Sequence, residues 1–354
     1  MFYQRRERRR GEIHSSFFPR KNKPVRPVAR ALAFRRTKGE TEGMPELIGI
    51  AKMAAQSELL EAKSQVEYFE IEARSILNRT KPNMPFRWTI NPYRGCEFGC
   101  QYCYARYTHE FMGMDDGRTF ETKIYAKAAA PEILRRELRK LDRAEAIAIG
   151  TATDPYQPAE RRFERMRGIL EVFSQEKGRH LSITTKSDLV TRDLDLLREI
   201  ARRNVLSINI TITTLNRRLA RLMEPRAPRP DLRLAAVEAL TGSGLHAGVF
   251  PNPILPMITD SEESLDALAA AAKGAGAQYF GGGPLFLMPC AQKIFFPFLE
   301  QRFPKLVGLY RKLYASSAYL GPGYKEQLRE RVARIRERYG LAPAPVEYRP
   351  ELWE

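Results

Sequence analysis

Three of the chain's four cysteines, Cys96, Cys100 and Cys103, fall within eight residues of the stretch NPYRGCEFGCQYCYARYTHE. Their C-x3-C-x2-C spacing discriminates between the uses of clustered thiols. A structural zinc site needs four ligands, usually in paired C-x2-C knuckles, and only His109 and the distant Cys290 stand available as a fourth. A dithiol redox pair would use Cys100 and Cys103 and leave Cys96 without a task. A [4Fe-4S] cluster held by three thiolates leaves one iron open, and that iron can chelate a small molecule. The single tight loop fits this chemistry best. Four cysteines in 354 residues are no disulfide framework.

Three sulfurs need a scaffold to hold them, and the sequence around and after them reads as one. RWTINPY reads as a strand entering the cysteine loop, followed by the helix PEILRRELRKL, opened by Pro131. Strands then alternate with helices: EAIAIG, HLSITTK, VLSINITIT, HAGVFPNPI and AQYFGGG are the strands. Six strands separated by helices predict a parallel α/β domain with right-handed crossovers. Periodicity alone does not separate a barrel from an open sheet. The chemically interesting residues follow strand ends, where both folds place their sites: the cysteines, then GTATDP, then Lys186.

Residues 50–73, rich in Ala, Leu, Glu and Lys, read as partly helical, so 46–85 is expected as a helical lead-in to a core over 86–300. The C-terminal helices and tail, 301–354, are expected on the side or bottom of the core. The last helix carries Leu328, Val332 and Ile335 on one stripe and reads as a docking helix rather than a nucleic-acid reader. The net charge of +17 suggests an anionic partner, most simply nucleic acid. Residues 1–40 hold 13 Lys or Arg against three Glu, so 1–45 reads as a basic, flexible arm able to meet a phosphate backbone. No signal-peptide pattern and no bilayer-length apolar run is found, and a cytoplasmic location without a membrane partner is expected.

The cysteine loop resembles the signature of the radical S-adenosylmethionine (radical SAM) superfamily, C-x3-C-x-aromatic-C, with Tyr102 in the aromatic position. The likeness runs from about residue 72 to 340, through GTATDPYQPAERR, LMEPRAPRPDLRLAAVEAL and YLGPGYKEQLRERVARIRERYG. These stretches are similar to a bacterial subgroup of spore-photoproduct-lyase-like, or "DNA repair photolyase", proteins.

The resemblance implies a partial (β/α)6 barrel of the TIM type. It implies that Cys96, Cys100 and Cys103 bind three irons of a [4Fe-4S] cluster whose fourth iron takes the amino and carboxylate groups of SAM. Tyr102 would contact the adenine side. Residues 150–154 take the place of the motif that meets the methionine amino group; the usual Gly-Gly-Glu is absent, so Gly150, Thr151, Thr153 and Asp154 stand in. Lys186 would pair with the methionine carboxylate, Asn209 and Thr211 with the ribose hydroxyls, and Pro253 and Ile254 would flank the adenine. The implied reaction is reductive cleavage of SAM to methionine and a 5'-deoxyadenosyl radical, fed by flavodoxin or ferredoxin, on a nucleic acid or nucleotide.

Glu224 and Arg226, in EPRAP, read either as substrate-facing groups or as a salt-bridged structural loop. Spore photoproduct lyase is expected to carry a cysteine hydrogen donor after strand two. None stands at 151–154, so Cys290 or a tyrosine would have to take that part; Cys290 otherwise reads as a small buried residue. Arg94 and Arg106 bracket the cysteines and read as groups that tune cluster charge or meet a phosphate, while His109 and Glu110 lie just beyond. His246 reads as a packed or solvent-facing histidine, and the glycines at 281–283 invite close backbone approach. Two further readings stay open: a non-catalytic zinc- or cluster-stabilised nucleic-acid-binding protein, and a radical SAM enzyme acting on a peptide or small metabolite.

Overall fold

A computed structural model describes residues 47–62, 65–81 and 84–345; the basic arm expected over 1–45 lies outside them. The strands, in chain order, are β1 (Glu58–Ala62), β2 (Glu67–Ile71), β3 (Leu77–Arg79), β4 (Trp88–Ile90), β5 (Tyr93–Arg94), β6 (Lys123–Lys127), β7 (Ile147–Ile149), β8 (His180–Thr185), β9 (Val205–Thr211) and β10 (Ala247–Phe250). They form a mixed α/β fold with two sheets, ordered β10-β9-β8-β7-β4-β3 and β1-β2-β6-β5.

In the larger sheet β4, β7, β8, β9 and β10 are mutually parallel, and β3 joins β4 antiparallel at the edge. The parallel strands neighbour one another in chain order, without the reversal that marks a doubly wound sheet. AQYFGGG, expected as a sixth strand, contributes only isolated parallel bridges, Phe280 to Val249 and Tyr279 to Ala342. Its glycines supply few side chains to pack a longer ladder.

The two-residue period of each strand sorts its side chains. Ile90, Ile149, Ile183, Ile208 and Ala247 lie in register across the sheet, all within the large apolar core beneath the helices. The register places Thr89, Ala148, Ser182 and Ser207 in one row of the opposite face, and Thr184, Asn209 and Gly248 in another. That face is small and polar, unlike a face built only for packing.

Helix Gly49–Ala55 accounts for the start of the segment expected to be helical over 50–73, but the rest is β1 and β2. Pairing with β6 overrides the helical composition: β2 lies parallel to β6 and buries Tyr68 and Ile71. The smaller sheet matters because β5, paired with β6, launches the cysteine loop immediately after β4.

The C-terminal helices divide between two cores. Helix Pro322–Tyr339 buries Leu328, Val332 and Ile335 in the large core. Helix Val307–Leu313 was expected on the side or bottom; instead Tyr310, with Tyr314 just beyond, joins a second core containing Cys96, Cys100 and Tyr102. The hydroxyls of Tyr310 and Tyr314 anchor it, donating to the carbonyls of Pro256 and Leu285 at 2.8 Å each.

Candidate active site

Because β4, β7, β8, β9 and β10 run parallel, the segments that follow them emerge at one edge of the sheet. The cysteine loop, residues 150–154, Lys186, Glu224 and Pro253 all lie in these segments.

The loop is held through its backbone. Gly95 has φ +81°, and a Cβ there would lie 2.7 Å from the Lys123 carbonyl oxygen and 2.8 Å from that of Phe120. Only glycine meets both conditions. The Cys96 N–H donates to the Phe120 carbonyl at 2.8 Å. Thr153 Oγ1 and Gln157 Nε2 donate to the Gly95 carbonyl at 2.6 and 3.0 Å, and Gln157 Oε1 accepts from the Glu97 N–H at 2.9 Å. From the other side Arg106, 1% exposed, donates to the Cys100 carbonyl at 2.9 Å and to Glu121 at 2.8 Å. Arg106 is therefore a brace, with no face free for a substrate phosphate.

All three thiols are free; Cys96 and Cys100 are buried and Cys103 is half-buried. Burial pushes each thiol up. Lys186 and Arg233 oppose this at Cys100, and Arg106 and Lys186 oppose it at Cys103. Cations gathered around buried, free sulfurs suit a group that demands thiolates. Among the described residues no three His, Cys, Asp or Glu side chains converge on a single metal ion. His109 Nε2 is occupied by the Lys123 carbonyl at 2.9 Å, and Cys290 Sγ lies 3.4 Å from the Tyr104 carbonyl. A sulfide-bridged cluster does not require its thiolates to meet at one ion, and the donor set fits it.

Asp154 sits between Cys96 and Lys186. Its carboxylate accepts from Thr185 Oγ1 at 2.6 Å, the Tyr156 N–H at 3.0 Å and the Lys186 N–H at 2.7 Å. Burial pushes its carboxyl up, against those hydrogen bonds. Lys186 Nζ lies 5.9 Å from the Tyr102 ring centroid. Gly150 has φ +90°, and a Cβ there would stand 2.4 Å from the Thr184 carbonyl, so its identity is fixed by the turn itself. Thr151 accepts from Asn91 Nδ2 at 3.3 Å, and its carbonyl accepts from the Tyr104 hydroxyl.

Tyr102 turns its hydroxyl to Glu224, which also accepts from Thr213 Oγ1 at 2.8 Å and pairs with Arg233 at 2.5 Å. Burial would raise the Glu224 carboxyl, but Arg233 and Lys186 outweigh it and hold the group below its ordinary value. Glu224 is 1% exposed. Of its two sequence readings, the geometry matches the salt-bridged loop. Arg226 lies 3.8 Å from Glu121, and its N–H donates to the Phe98 carbonyl at 3.2 Å.

Asn209 is occupied by its neighbours: Nδ2 donates to Ser182 Oγ at 2.9 Å and Thr184 Oγ1 at 3.1 Å, and Oδ1 accepts from the Tyr279 hydroxyl at 2.8 Å. Thr211 is buried and offers its carbonyl to Arg233 at 3.0 Å. Pro253 is half-buried and follows a cis bond from Asn252; Ile254 is buried and its N–H donates to the Gly283 carbonyl at 2.9 Å. Glu110 pairs with Lys293 at 3.1 Å, and His246 lies against Tyr279 away from the cysteines.

Sequence reading missed Asn91, Glu121, Gln157 and Arg233. One signal was available for Arg233: a cation among the otherwise apolar buried positions of helix Pro230–Gly242. The others act through contacts that local sequence does not reveal.

Residues 90–269 match the family model described as the radical SAM superfamily. An uncharacterized protein of Mycobacterium tuberculosis is 41% identical over 293 residues, spanning 80% of this chain and 85% of that one. Another, of Methanocaldococcus jannaschii, is 28% identical over 258 residues, spanning 73% and 92%. In fold, the chain is similar to spore photoproduct lyase complexed with dinucleoside spore photoproduct, with TM-score 0.60, 17% identity and 85% of each chain covered. The chain belongs to the radical SAM superfamily and is an enzyme of that class. Among the described residues no helix is long and apolar enough to cross a membrane.

Proposed function

We propose that the protein reductively cleaves SAM at a [4Fe-4S] cluster held by Cys96, Cys100 and Cys103, and directs the resulting radical chemistry to a nucleic acid or nucleotide. The observation that carries this reading is the braced three-thiol loop standing at the same sheet edge as Asp154 and Lys186. The sequential strand order supports the partial (β/α)6 barrel expected of the family. When bound, the cluster would supply an open iron for the methionine end of SAM and the electron that yields methionine and a 5'-deoxyadenosyl radical.

The chain's own residues bind and orient. Asp154, backed by Thr185, offers a carboxylate to the methionine ammonium, and Lys186 offers a cation to its carboxylate. Glu224 and Arg233 act as positioning residues, through Tyr102. Asn209 and Thr211 belong to the small polar face on which the nucleoside would lie, with Pro253 and Ile254 at its edge. Cys290, 4% exposed and against Tyr104, is placed to return a hydrogen atom only after side-chain movement. A reducing partner such as flavodoxin or ferredoxin would meet the cleft of about 420 Å3 that includes Phe98, Arg161, Arg221, Arg226 and Arg229. Its basic lining complements an acidic electron carrier.

The test is anaerobic reconstitution with iron and sulfide, then reduction with SAM present. Electron paramagnetic resonance should show a cluster signal perturbed by SAM, and chromatography should find 5'-deoxyadenosine. Each of Cys96→Ala, Cys100→Ala and Cys103→Ala should abolish both. Full cleavage in any of these variants, or a bound zinc in place of iron, would overturn the reading.

A further inference from the structure

Beside the cysteine loop a run of aromatic rings leads outward. Tyr104 directly follows Cys103, its hydroxyl donates to the Thr151 carbonyl, and its ring lies 5.8 Å from that of Phe286. Phe286 in turn lies 4.5 Å from Tyr319, at 30° between planes. Tyr319 is 57% exposed and Tyr104 37%, which core packing does not require of a large ring. Phe286 and Tyr319 open on a groove of about 380 Å3 whose far wall is helix Pro322–Tyr339.

That helix buries Leu328, Val332 and Ile335, as a docking helix should. Lys325, Arg329 and Arg336 all line the groove. Spacings of four and seven residues keep them on one face, over a length of about 16 Å. Lys325 Nζ stands 5.1 Å from the Tyr319 ring centroid. Arg329 pairs with Glu326 at 2.5 Å yet is 75% exposed, and among the described residues neither Lys325 nor Arg336 has an acidic partner.

We propose that this groove binds single-stranded nucleic acid, with bases stacked on Tyr319 and Phe286 and phosphates along Lys325, Arg329 and Arg336, and leads the strand past Tyr104 to the site beside Thr151. Aromatic faces interleaved with a basic track are what an unpaired strand requires, because a duplex keeps its base faces covered. The proposal rests on the radical reading for its destination, though not for the binding itself.

The test uses the full reconstituted chain and fluorescence anisotropy with labelled oligothymidylate, oligouridylate and a duplex of equal length. Tyr319→Ala should weaken single-strand binding about tenfold, and Tyr319→Phe should restore it. Arg336→Gln should lower the salt slope for single strands by about 0.7. Lys305→Gln, at a surface position outside the groove, should leave the Tyr319-dependent component unchanged. The thymidylate and uridylate arms tell DNA from RNA as the source of the strand. Wild-type affinity in Tyr319→Ala, or tighter binding of the duplex, would overturn the proposal and leave the radical reading standing. Deoxyadenosine formed without nucleic acid should be equal in wild type and these variants. Its absence from the wild type, with the binding pattern intact, would overturn the radical reading and leave the groove standing.

Discussion

The hydroxyl of Tyr102 donates to the carboxylate of Glu224, 122 positions further along the chain. Tyr102 stands between the second and third cysteines, so this bond ties the cysteine loop to the segment following β9. Arg233 completes the tie from the helix beyond, and neither member of the Arg233–Glu224 pair is more than 1% exposed.

Arg233→Met leaves the Glu224 carboxylate buried and unpaired. Breaking such a pair costs about 3–5 kcal/mol. Urea unfolding of the variant should show a midpoint well below wild type, and iron content after reconstitution should fall with it. Replacing Glu224 by Leu as well should recover most of the midpoint. An unchanged midpoint in the single variant would show that the tie does not hold the loop.

Gly95→Ala introduces a Cβ between two carbonyl oxygens at a left-handed φ. Part of the loop backbone must shift, and the Cys96 N–H bond to Phe120 shifts with it. The expected result is a folded protein, by circular dichroism, that retains little iron. Normal iron loading would mean the loop tolerates another path.

Asp154→Asn keeps the shape but removes the charge beside Lys186, and turns one of its two accepting atoms into a donor. Hydrogen bonds to charged groups contribute about 1.5–3 kcal/mol. Calorimetry should therefore find SAM bound about tenfold or more weakly at unchanged iron content. Equal affinity would remove Asp154 from the SAM site.

Lys127 is 6% exposed, and burial, with Arg94 nearby, pulls its ammonium down to about 7. The unfolded chain keeps that proton to about pH 10.4. Between those values the unfolded state binds more protons, so this residue makes stability rise with pH; below about pH 7 its cost is fully present. Lys127→Met should therefore raise the melting temperature most near neutrality and least near pH 10. A pH-independent difference between the two proteins would contradict the shift.

Deleting residues 1–40 removes ten of the seventeen net positive charges. Nucleic-acid binding should weaken at low salt and its salt slope should flatten. Identical salt titrations with and without the segment would exclude it from binding.

The parallel strands were legible because each carries its own local signal: a short apolar run closed by a helix start. β1 and β2 were not, since they lie in a segment rich in Ala, Leu, Glu and Lys, and they become strands through long-range pairing, β2 with β6 and β1 in turn with β2. The same contrast runs through the site. Cys96, Cys100 and Cys103 announce themselves by spacing within one loop. Gln157 reaches Gly95 across 62 residues, and Arg233 acts on Tyr102 through Glu224; neither relation leaves a trace in a local window. Glu224 was visible as a charged residue, but its buried partner decides that it braces the loop.

The second core has a consequence for how the chain is made. Cys96 and Cys100 share their core with Leu285, Leu287, Phe295, Tyr310 and Tyr314, side chains that leave the ribosome roughly two hundred residues later. During most of synthesis the thiols exist without the rest of that core. They are then open to oxygen, to one another and to whatever delivers iron. The C-terminal part of that core is made last, so, if the loop takes up the proposed cluster, the order of translation would set a period in which it could be loaded before the core closes.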